Sequence, residues 1–236
     1  TTLASFTYDN NGNMTLSNTT RNYEWDHSNQ LRAYYNQTGT SEPTVYAQYL
    51  YDSGGNRVKK LVRTTGGNFE SVTYVDGIFE CHKKEAGTTE EKNYSHIMDS
   101  LSRTSFGNKS RICMIRTGSF TGDPADSTFY ILEDHLGSSN VRLDTNGTVI
   151  DREEYYPFGD SSLRTWSKKR YRYVGKEKDN ESGLYYYGMR YYAAWTCRFI
   201  SVDPLAGKYA QLTPYNNADN SPITNKDIDG AQNTNT

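Results

Sequence analysis

Hydrophobic and polar residues alternate along much of the chain, in short runs that end at turn residues. The segments VKKLVRTT (58–65) and FESVTYVDGIFE (69–80) show the alternation, which breaks at Gly66-Gly67 and at Asp76-Gly77. Such a pattern predicts β-strands, because successive side chains of a strand point to opposite faces of the sheet. We find no sustained helical period. The pattern therefore predicts an all-β fold in which strand far exceeds helix, with no helix longer than about three turns.

A second pattern marks the turns between these strands. An aromatic residue, an Asp, two spacer residues and then Gly-Asn or Asn-Gln recur in the first part of the chain. Asp and Asn tolerate left-handed backbone and Gly adopts it without strain, so each motif predicts a strand, a tight turn and a return strand. The repetition favours stacked hairpins, because a single hairpin cannot bury its hydrophobic face alone. The motifs are YDNNGN at Tyr8–Asn13, YEWDHSNQL at Tyr23–Leu31 and YDSGGNR at Tyr51–Arg57.

Composition narrows the functional classes. Among the 236 residues, 26 Lys and Arg stand against 28 Asp and Glu, which excludes a generally basic nucleic-acid-binding protein. With 34% hydrophobic residues and 21 Tyr, burial must depend on aromatic faces whose hydroxyl groups need partners. No apolar run approaches the roughly 20 residues that span a bilayer. The start, TTLASFTYDN, lacks the features of a signal peptide, so any export signal is expected upstream.

Few residues have the spacing of a conventional active site. The four His (His27, His82, His96 and His135) stand apart, without metal-ligand spacing. Ser182–Leu184 is not a nucleophile elbow, and no glycine-rich phosphate loop occurs. Cys81, Cys113 and Cys197 form no CxxC pair and are predicted to be free, buried thiols. The basic stretch Trp166–Arg172 is expected to pair with acidic neighbours on adjacent strands.

The most distinctive stretch is late in the chain, from Gly175 to Gly230. It begins GKEKDNESGLYYYGMRYYAAWTCRFISVDP and closes PYNNADNSPITNKDIDG. Asp203 precedes a Pro, and Asp227 and Asp229 end the stretch beside a Gly. Aspartates in such positions are ordinary turn residues. A pair of carboxylates brought together, however, shares one proton, so that one can activate a water while the other donates to a carbonyl.

These residues resemble the RHS repeat-associated core, the C-terminal block of RHS/YD-repeat proteins and of the C component of Tc toxins. The resemblance follows GKE-x-D-x-x-[ST]-G-L-x-Y-x-G-x-R-Y-Y, then an R-F-x-x-x-D-P run, then N-x-P-x-x-x-x-D-x-x-G. The early turns resemble YD repeats, which in that family wind into a hollow β-sheet shell. The resemblance implies YD-repeat hairpins over 1–80, a β-rich continuation of the shell over 81–174 and a Tyr-rich core over 175–230. Residues 231–236 would begin a variable C-terminal region or form a tail after the core.

The resemblance also implies a function. The shell would enclose a C-terminal toxin, and the core would release it by cutting its own chain just past the final D-x-x-G. This implicates Asp203 and Asp227 as an aspartyl-protease-like pair with Arg198 in support, and Asp229 is a rival for Asp227. Many relatives have D-P-x-G at the end, whereas Ile228 stands here in place of the proline, which relaxes the turn that presents the bond.

The partners implied are the rest of the shell, in the same chain or in a B-component-like partner, the toxin cargo, and a secretion or injection machine. The protein would be secreted or delivered to a target cell by a bacterial export machine, with no nucleic acid, membrane segment or cofactor involved. One alternative is an extracellular adhesion or carbohydrate-binding β-repeat protein whose exposed Tyr and Trp stack on sugars. Another is a scaffold with an inactive core. Inward-facing aromatics, with Asp203 close to Asp227, would favour the releasing shell.

Overall fold

The computed structural model describes residues 5–99, 110–165, 169–208 and 211–231, and the backbone of 233–235. Its main element is a 14-stranded antiparallel sheet in which the order of strands in space follows their order in the chain. Helical structure in the described ranges is limited to four 3₁₀ turns of three residues each. The prediction of an all-β fold without long helices is therefore confirmed.

The strands of the large sheet are β1 Phe6–Tyr8, β2 Met14–Ser17, β3 Arg21–Trp25, β4 Leu31–Asn36, β5 Val45–Tyr51, β6 Arg57–Thr64, β7 Phe69–Val75, β8 Phe79–Glu85, β9 Thr89–Met98, β10 Arg111–Gly118, β11 Thr128–Glu133, β12 Ser139–Leu143, β13 Val149–Tyr155 and β14 Ser161–Arg164. A four-stranded sheet follows, with β15 Glu177–Lys178, β16 Tyr185–Tyr186, β17 Tyr191–Ala193 and β18 Arg198–Phe199. The last pair is β19 Asn225–Asp227 and β20 Asn233–Asn235.

Five hairpin turns of the large sheet share one hydrogen-bond arrangement. In the first, an oxygen of Asp9 accepts the N–H groups of Asn11 at 2.9 Å and Asn13 at 2.8 Å, and Gly12 adopts a φ of 80°. A carboxylate that satisfies two backbone donors fixes the turn, which is why the aromatic-Asp motifs at Asp9, Asp26 and Asp52 predicted hairpins. The same arrangement recurs at Asp26, Asp52, Asp134 and Asp144.

The boundary predicted at residue 80, between the YD-repeat hairpins and the β-rich continuation of the shell, lies within β8. The large sheet is therefore continuous across it. The four described residues of the basic stretch, Lys169–Arg172, lie beside carboxylates as predicted. Lys169 and Arg172 contact Glu153 at 3.0 and 3.1 Å. Arg170 contacts Glu177 at 2.6 Å, and residues 166–168 lie outside the described ranges.

The three cysteines are free, but only Cys113 is buried. The prediction of buried thiols is wrong for Cys81 and Cys197, which are exposed. Cys81 lies between buried Glu80 and His82 on β8, and alternation along the strand turns its side chain to the opposite face.

Among the described residues the core has three clusters: two are rich in tyrosine and include residues of the late stretch, and the third contains Met114, Phe129 and Ile131. Tyr185, Tyr187, Tyr191 and Tyr192 are at most 3% exposed, so the Tyr-rich run of the late stretch, residues 185–195, is mostly buried. Trp195 is the exception at 37%, and the guanidinium of Arg21 lies 4.2 Å from its ring centroid. One tyrosine-rich cluster combines Met14, Tyr23, Leu31, Tyr34, Ala47 and Tyr49 of the sheet with Leu184, Tyr191, Ala193 and Ile200. The other tyrosine-rich cluster contains Leu136, Tyr173, Val174, Tyr185, Tyr187, Tyr192, Ala194 and Phe199.

Buried ion pairs also join the sheet to the late stretch. Arg57 of β6 contacts both Glu177 and Asp179 at 2.7 Å, and Lys60 of the same strand contacts Asp179 at 2.7 Å. Burial opposes ionisation of Glu177, but the guanidinium groups of Arg170 and Arg57 together with Lys60 lower its pKa to about 2. The acidic residues of the GKEKD motif therefore act as anchors to the sheet.

We expect Tyr191→Ala to lower the free energy of unfolding by about 3 kcal/mol, because it removes a buried ring and leaves a cavity. The substitution also removes the hydroxyl that lies 3.0 Å from the hydroxyl of Tyr51. Urea denaturation measures the change. Tyr130→Ala, at a position 43% exposed, is the matched control and should cost far less. Equal small losses in both variants would show that Tyr191 does not belong to the core.

Candidate functional site

The site centres on a buried arginine, Arg190, in the turn between β16 and β17. Its side chain is only 2% exposed, and its guanidinium lies 3.8 Å from the centroid of the Phe199 ring. A guanidinium does not lose its proton in a protein, so burial at this position requires hydrogen-bond and charge partners. The partners are two aspartates and two backbone carbonyls, those of Gly230 and, at 3.2 Å, Pro214.

Both aspartates contact the same nitrogen of Arg190. Its Nη2 lies 2.8 Å from Oδ2 of Asp203 and 3.3 Å from Oδ2 of Asp227. The distance between the two Oδ2 atoms therefore cannot exceed the sum of these two distances. The two aspartate side chains are 10% and 1% exposed, so the pair lies largely out of water.

The third partner is the carbonyl of Gly230, which accepts a hydrogen bond from Nε of Arg190. On the other side of the same peptide bond, the N–H of Ala231 donates to Oδ1 of Asp229 at 3.0 Å. The N–H of Gly230 itself donates to Oδ1 of Asp227 at 2.7 Å. The peptide between Gly230 and Ala231 is therefore held at both its carbonyl and its N–H.

Glycine is required at position 230. Its φ is 88°, and a Cβ there would lie 2.9 Å from the backbone nitrogen of Arg190. Beyond Ala231, the backbone of β20 pairs antiparallel with β19, the strand that ends at Asp227. The chain on either side of this peptide is thus fixed beside the two aspartates.

Asp203 is both a turn residue and a partner of Arg190. Its Oδ1 accepts the N–H of Leu205 at 2.7 Å, and its own N–H donates to the carbonyl of Pro214 at 2.9 Å. One carboxylate oxygen fixes the loop, and this leaves the other directed at the guanidinium. Asp203 can therefore be a turn residue and a member of the aspartate pair at the same time, as the two interpretations of the sequence had it.

Burial has a marked effect on Asp227. It raises the pKa of this carboxyl to about 6, with a further contribution from Asp229, although Arg190 and the N–H of Gly230 act in the opposite direction. Asp227 can therefore carry a proton near neutral pH, whereas an exposed aspartate is ionised there.

Arg198 was expected to support the aspartate pair, and the structure does not place it there. It is exposed on β18, next to buried Phe199, and alternation along the strand turns it away from the core. In the described part of the chain it forms no ion pair. The contact with both aspartates is made instead by Arg190, which the sequence analysis missed. A signal for it was present, since Arg190 lies within the Tyr-rich run, and so many rings in one patch favour burial.

The choice between Asp227 and Asp229 was open in the sequence. The structure puts Asp227 on the guanidinium shared with Asp203, whereas Asp229 binds the N–H of Ala231.

Within the described ranges, no group of three or more His, Cys, Asp and Glu is arranged to hold a metal ion. None of the described helical segments is long and apolar enough to cross a membrane.

The proteins similar to this chain in sequence include a toxin subunit and a nuclease. The toxin subunit YenC1 of Yersinia entomophaga is 33% identical over 195 residues, which are 77% of this chain and 19% of that protein. The tRNA3(Ser)-specific nuclease WapA of Bacillus spizizenii is 30% identical over 234 residues, which are 96% of this chain and 9% of that protein. No protein-family model matches the chain.

The fold of this chain is similar to part of a solved toxin structure. The crystal structure of TcdB2-TccC3-Cdc42 aligns with a TM-score of 0.80 and 28% identity, over 94% of this chain and 11% of that chain. The present chain therefore spans about a fifth or less of the length of each of these three proteins. It is an RHS/YD-repeat polypeptide with an RHS repeat-associated core, and it resembles the C component of Tc toxins. Its fold matches the TccC3 shell.

Proposed function

We propose that the chain is part of a toxin-enclosing RHS shell and that its core hydrolyses its own peptide bond between Gly230 and Ala231. One observation carries the proposal: Arg190 contacts Asp203, Asp227 and the carbonyl of Gly230 at once. This arrangement combines a carboxylate pair with a fixed cation at the carbonyl where negative charge would develop during hydrolysis.

The contacts favour different roles for the two aspartates. Asp203 is closer to the guanidinium and less buried, so it acts as the base that takes a proton from water. The water oxygen bonds to the carbonyl carbon of Gly230, and Arg190 stabilises the resulting oxyanion. When the C–N bond breaks, protonated Asp227 gives its proton to the nitrogen of Ala231. The products are a carboxyl group at Gly230 and an amine at Ala231. The proton that Asp203 took from water replaces the one that Asp227 gave away, so the pair again holds one proton.

The role of Asp229 is to hold the bond in place. Its contact with the N–H of Ala231 and the pairing of β19 with β20 fix the residues that follow the bond. Because both reactants belong to one folded chain, proximity supplies much of the rate. The reaction need occur only once per molecule.

The relatives support a function in enclosure and release. One is named a toxin subunit and another a tRNA nuclease, although both match this chain over most of its length. Different activities beside one shared segment fit a segment that encloses and releases variable cargo. The expected partners are the cargo, the rest of the shell, a TcdB2-like component and a delivery machine. The sugar-binding alternative loses its main support because the Tyr run is buried.

Hydrolysis should become faster as the pH falls through about 6, the pKa to which burial raises Asp227. Above that pH the rate should fall about tenfold per pH unit, because only the protonated fraction can donate to the leaving nitrogen. The test is to refold the 236-residue chain at alkaline pH, shift aliquots to a series of lower pH values and follow intact mass over time. A rate that rises with pH over the same range would contradict this assignment of the proton.

A further inference from the structure

A lysine contacts the loop that carries Asp227 and Gly230. Lys176, in the GKEKD motif, donates a hydrogen bond from Nζ to the carbonyl of Ile228. Ile228 separates Asp227 from Asp229, so this bond fixes the middle of the loop. None of the roles assigned above to Arg190 and the aspartates uses this lysine.

Several charged and aromatic groups surround its ammonium. Burial, with Lys226 and Arg111, lowers the pKa of Lys176 to about 8, although Asp227 and Asp229 favour its charged form. The centroid of the Tyr187 ring lies 5.2 Å from Nζ. Lys176 also lines a cavity of about 700 Å³ together with Arg111, Tyr187 and Gly188.

The amine acts on the site in two ways. Its hydrogen bond keeps the loop in the conformation in which Asp227 and the Gly230 peptide both meet Arg190. Its positive charge stabilises the ionised form of Asp227 and so opposes the effect of burial on that carboxyl. Arg190 contacts both carboxylates directly, whereas Lys176 acts on Asp227 through its charge and through the loop.

We propose, on the basis of the function proposed above, that Lys176 is a positioning residue for self-cleavage: it holds the Asp227–Gly230 loop and sets the pH below which the reaction runs. Without its charge, the carboxyl of Asp227 keeps its proton to a higher pH. Without its hydrogen bond, the loop is less well fixed. Loss of the lysine therefore slows the reaction at acid pH yet extends the reaction toward alkaline pH.

The experiment compares pH profiles of cleavage for the parent chain, Lys176→Met, Lys176→Arg and the control Lys83→Met, whose lysine is exposed on β8. Lys176→Met should lower the rate at acid pH about tenfold, as expected for the loss of a charged hydrogen bond. It should also raise the midpoint of the profile by about one pH unit. Lys176→Arg should restore both quantities toward the parent, and Lys83→Met should match the parent.

The proposal is overturned if the midpoint for Lys176→Met equals that of the parent, or if Lys176→Arg is as impaired as Lys176→Met. Circular dichroism checks that each variant folds, and Lys176→Gln replaces Lys176→Met if the latter does not. A parent chain that is never cut would refute the proposed function itself, and with it any role of Lys176 in the reaction. A parent that is cut alongside an unchanged Lys176→Met profile refutes only the role of the lysine.

Discussion

Replacing Asp227 by Asn should leave the polypeptide uncut while the fold is retained. Asn is close to Asp in shape and can still accept the N–H of Gly230, but it can neither hold nor donate the required proton. General acid and base catalysis contributes about 10² to 10⁴ in rate, so a loss of at least about a hundredfold is expected. Intact mass after a pH shift measures the remaining cleavage.

Asp203→Asn should have an equally large effect, because the pair fails when either member is lost. The matched control is Asp144→Asn, the same chemical change in an exposed turn where Asn can accept the same backbone N–H groups. Far-ultraviolet circular dichroism should show the parent spectrum for all three variants. If Asp203→Asn and Asp227→Asn are both cut at the rate of the control, the proposed roles of these aspartates are wrong and Asp229 is the next residue to replace.

The largest effect on stability is expected from Arg57→Met. This change removes the 2.7 Å contacts of Arg57 with the buried carboxylates of Glu177 and Asp179, which keep only Arg170 and Lys60 to balance their charge. Breaking a buried ion pair on one side typically costs 3–5 kcal/mol, so we expect a loss of about 4 kcal/mol in the free energy of unfolding. Urea denaturation, followed by tyrosine fluorescence, is the measurement.

Arg63→Met provides the control on the same strand. Arg63 lies 3.2 Å from Glu42, but the two side chains are 50% and 77% exposed. Exposed pairs contribute at most about 1 kcal/mol, and the control should lose no more than that. Similar small losses at both positions would mean that the ion pairs do not anchor the late stretch to the sheet.

The sequence predicted the strands and turns well because their signals are local. An Asp that accepts the N–H groups two and four residues later needs no distant partner, as at Asp9 and Asp52. Alternation of polar and hydrophobic residues is local in the same sense. The burial of Tyr185 and Tyr191 was also predictable, since so many exposed rings in one patch would promote association.

The partner of the aspartates was not predicted because it depends on which loops meet in space. Arg198 is close to Asp203 in sequence, but alternation on β18 turns it to solvent. Arg190 is more distant and was overlooked, although a cation within a buried aromatic run must have carboxylate or carbonyl partners. Lys176 gave no signal of its own, because its contact with Ile228 forms only when the GKEKD motif packs beneath the final loop.

The central claim is that the chain cuts itself after Gly230, and intact mass spectrometry of the refolded, acid-shifted 236-residue protein tests it most directly. We expect two products, a polypeptide that ends at Gly230 and the peptide AQNTNT, with neither formed under unfolding conditions. A chain that keeps its full mass through prolonged incubation near pH 5, while its circular dichroism shows the folded state, would contradict it.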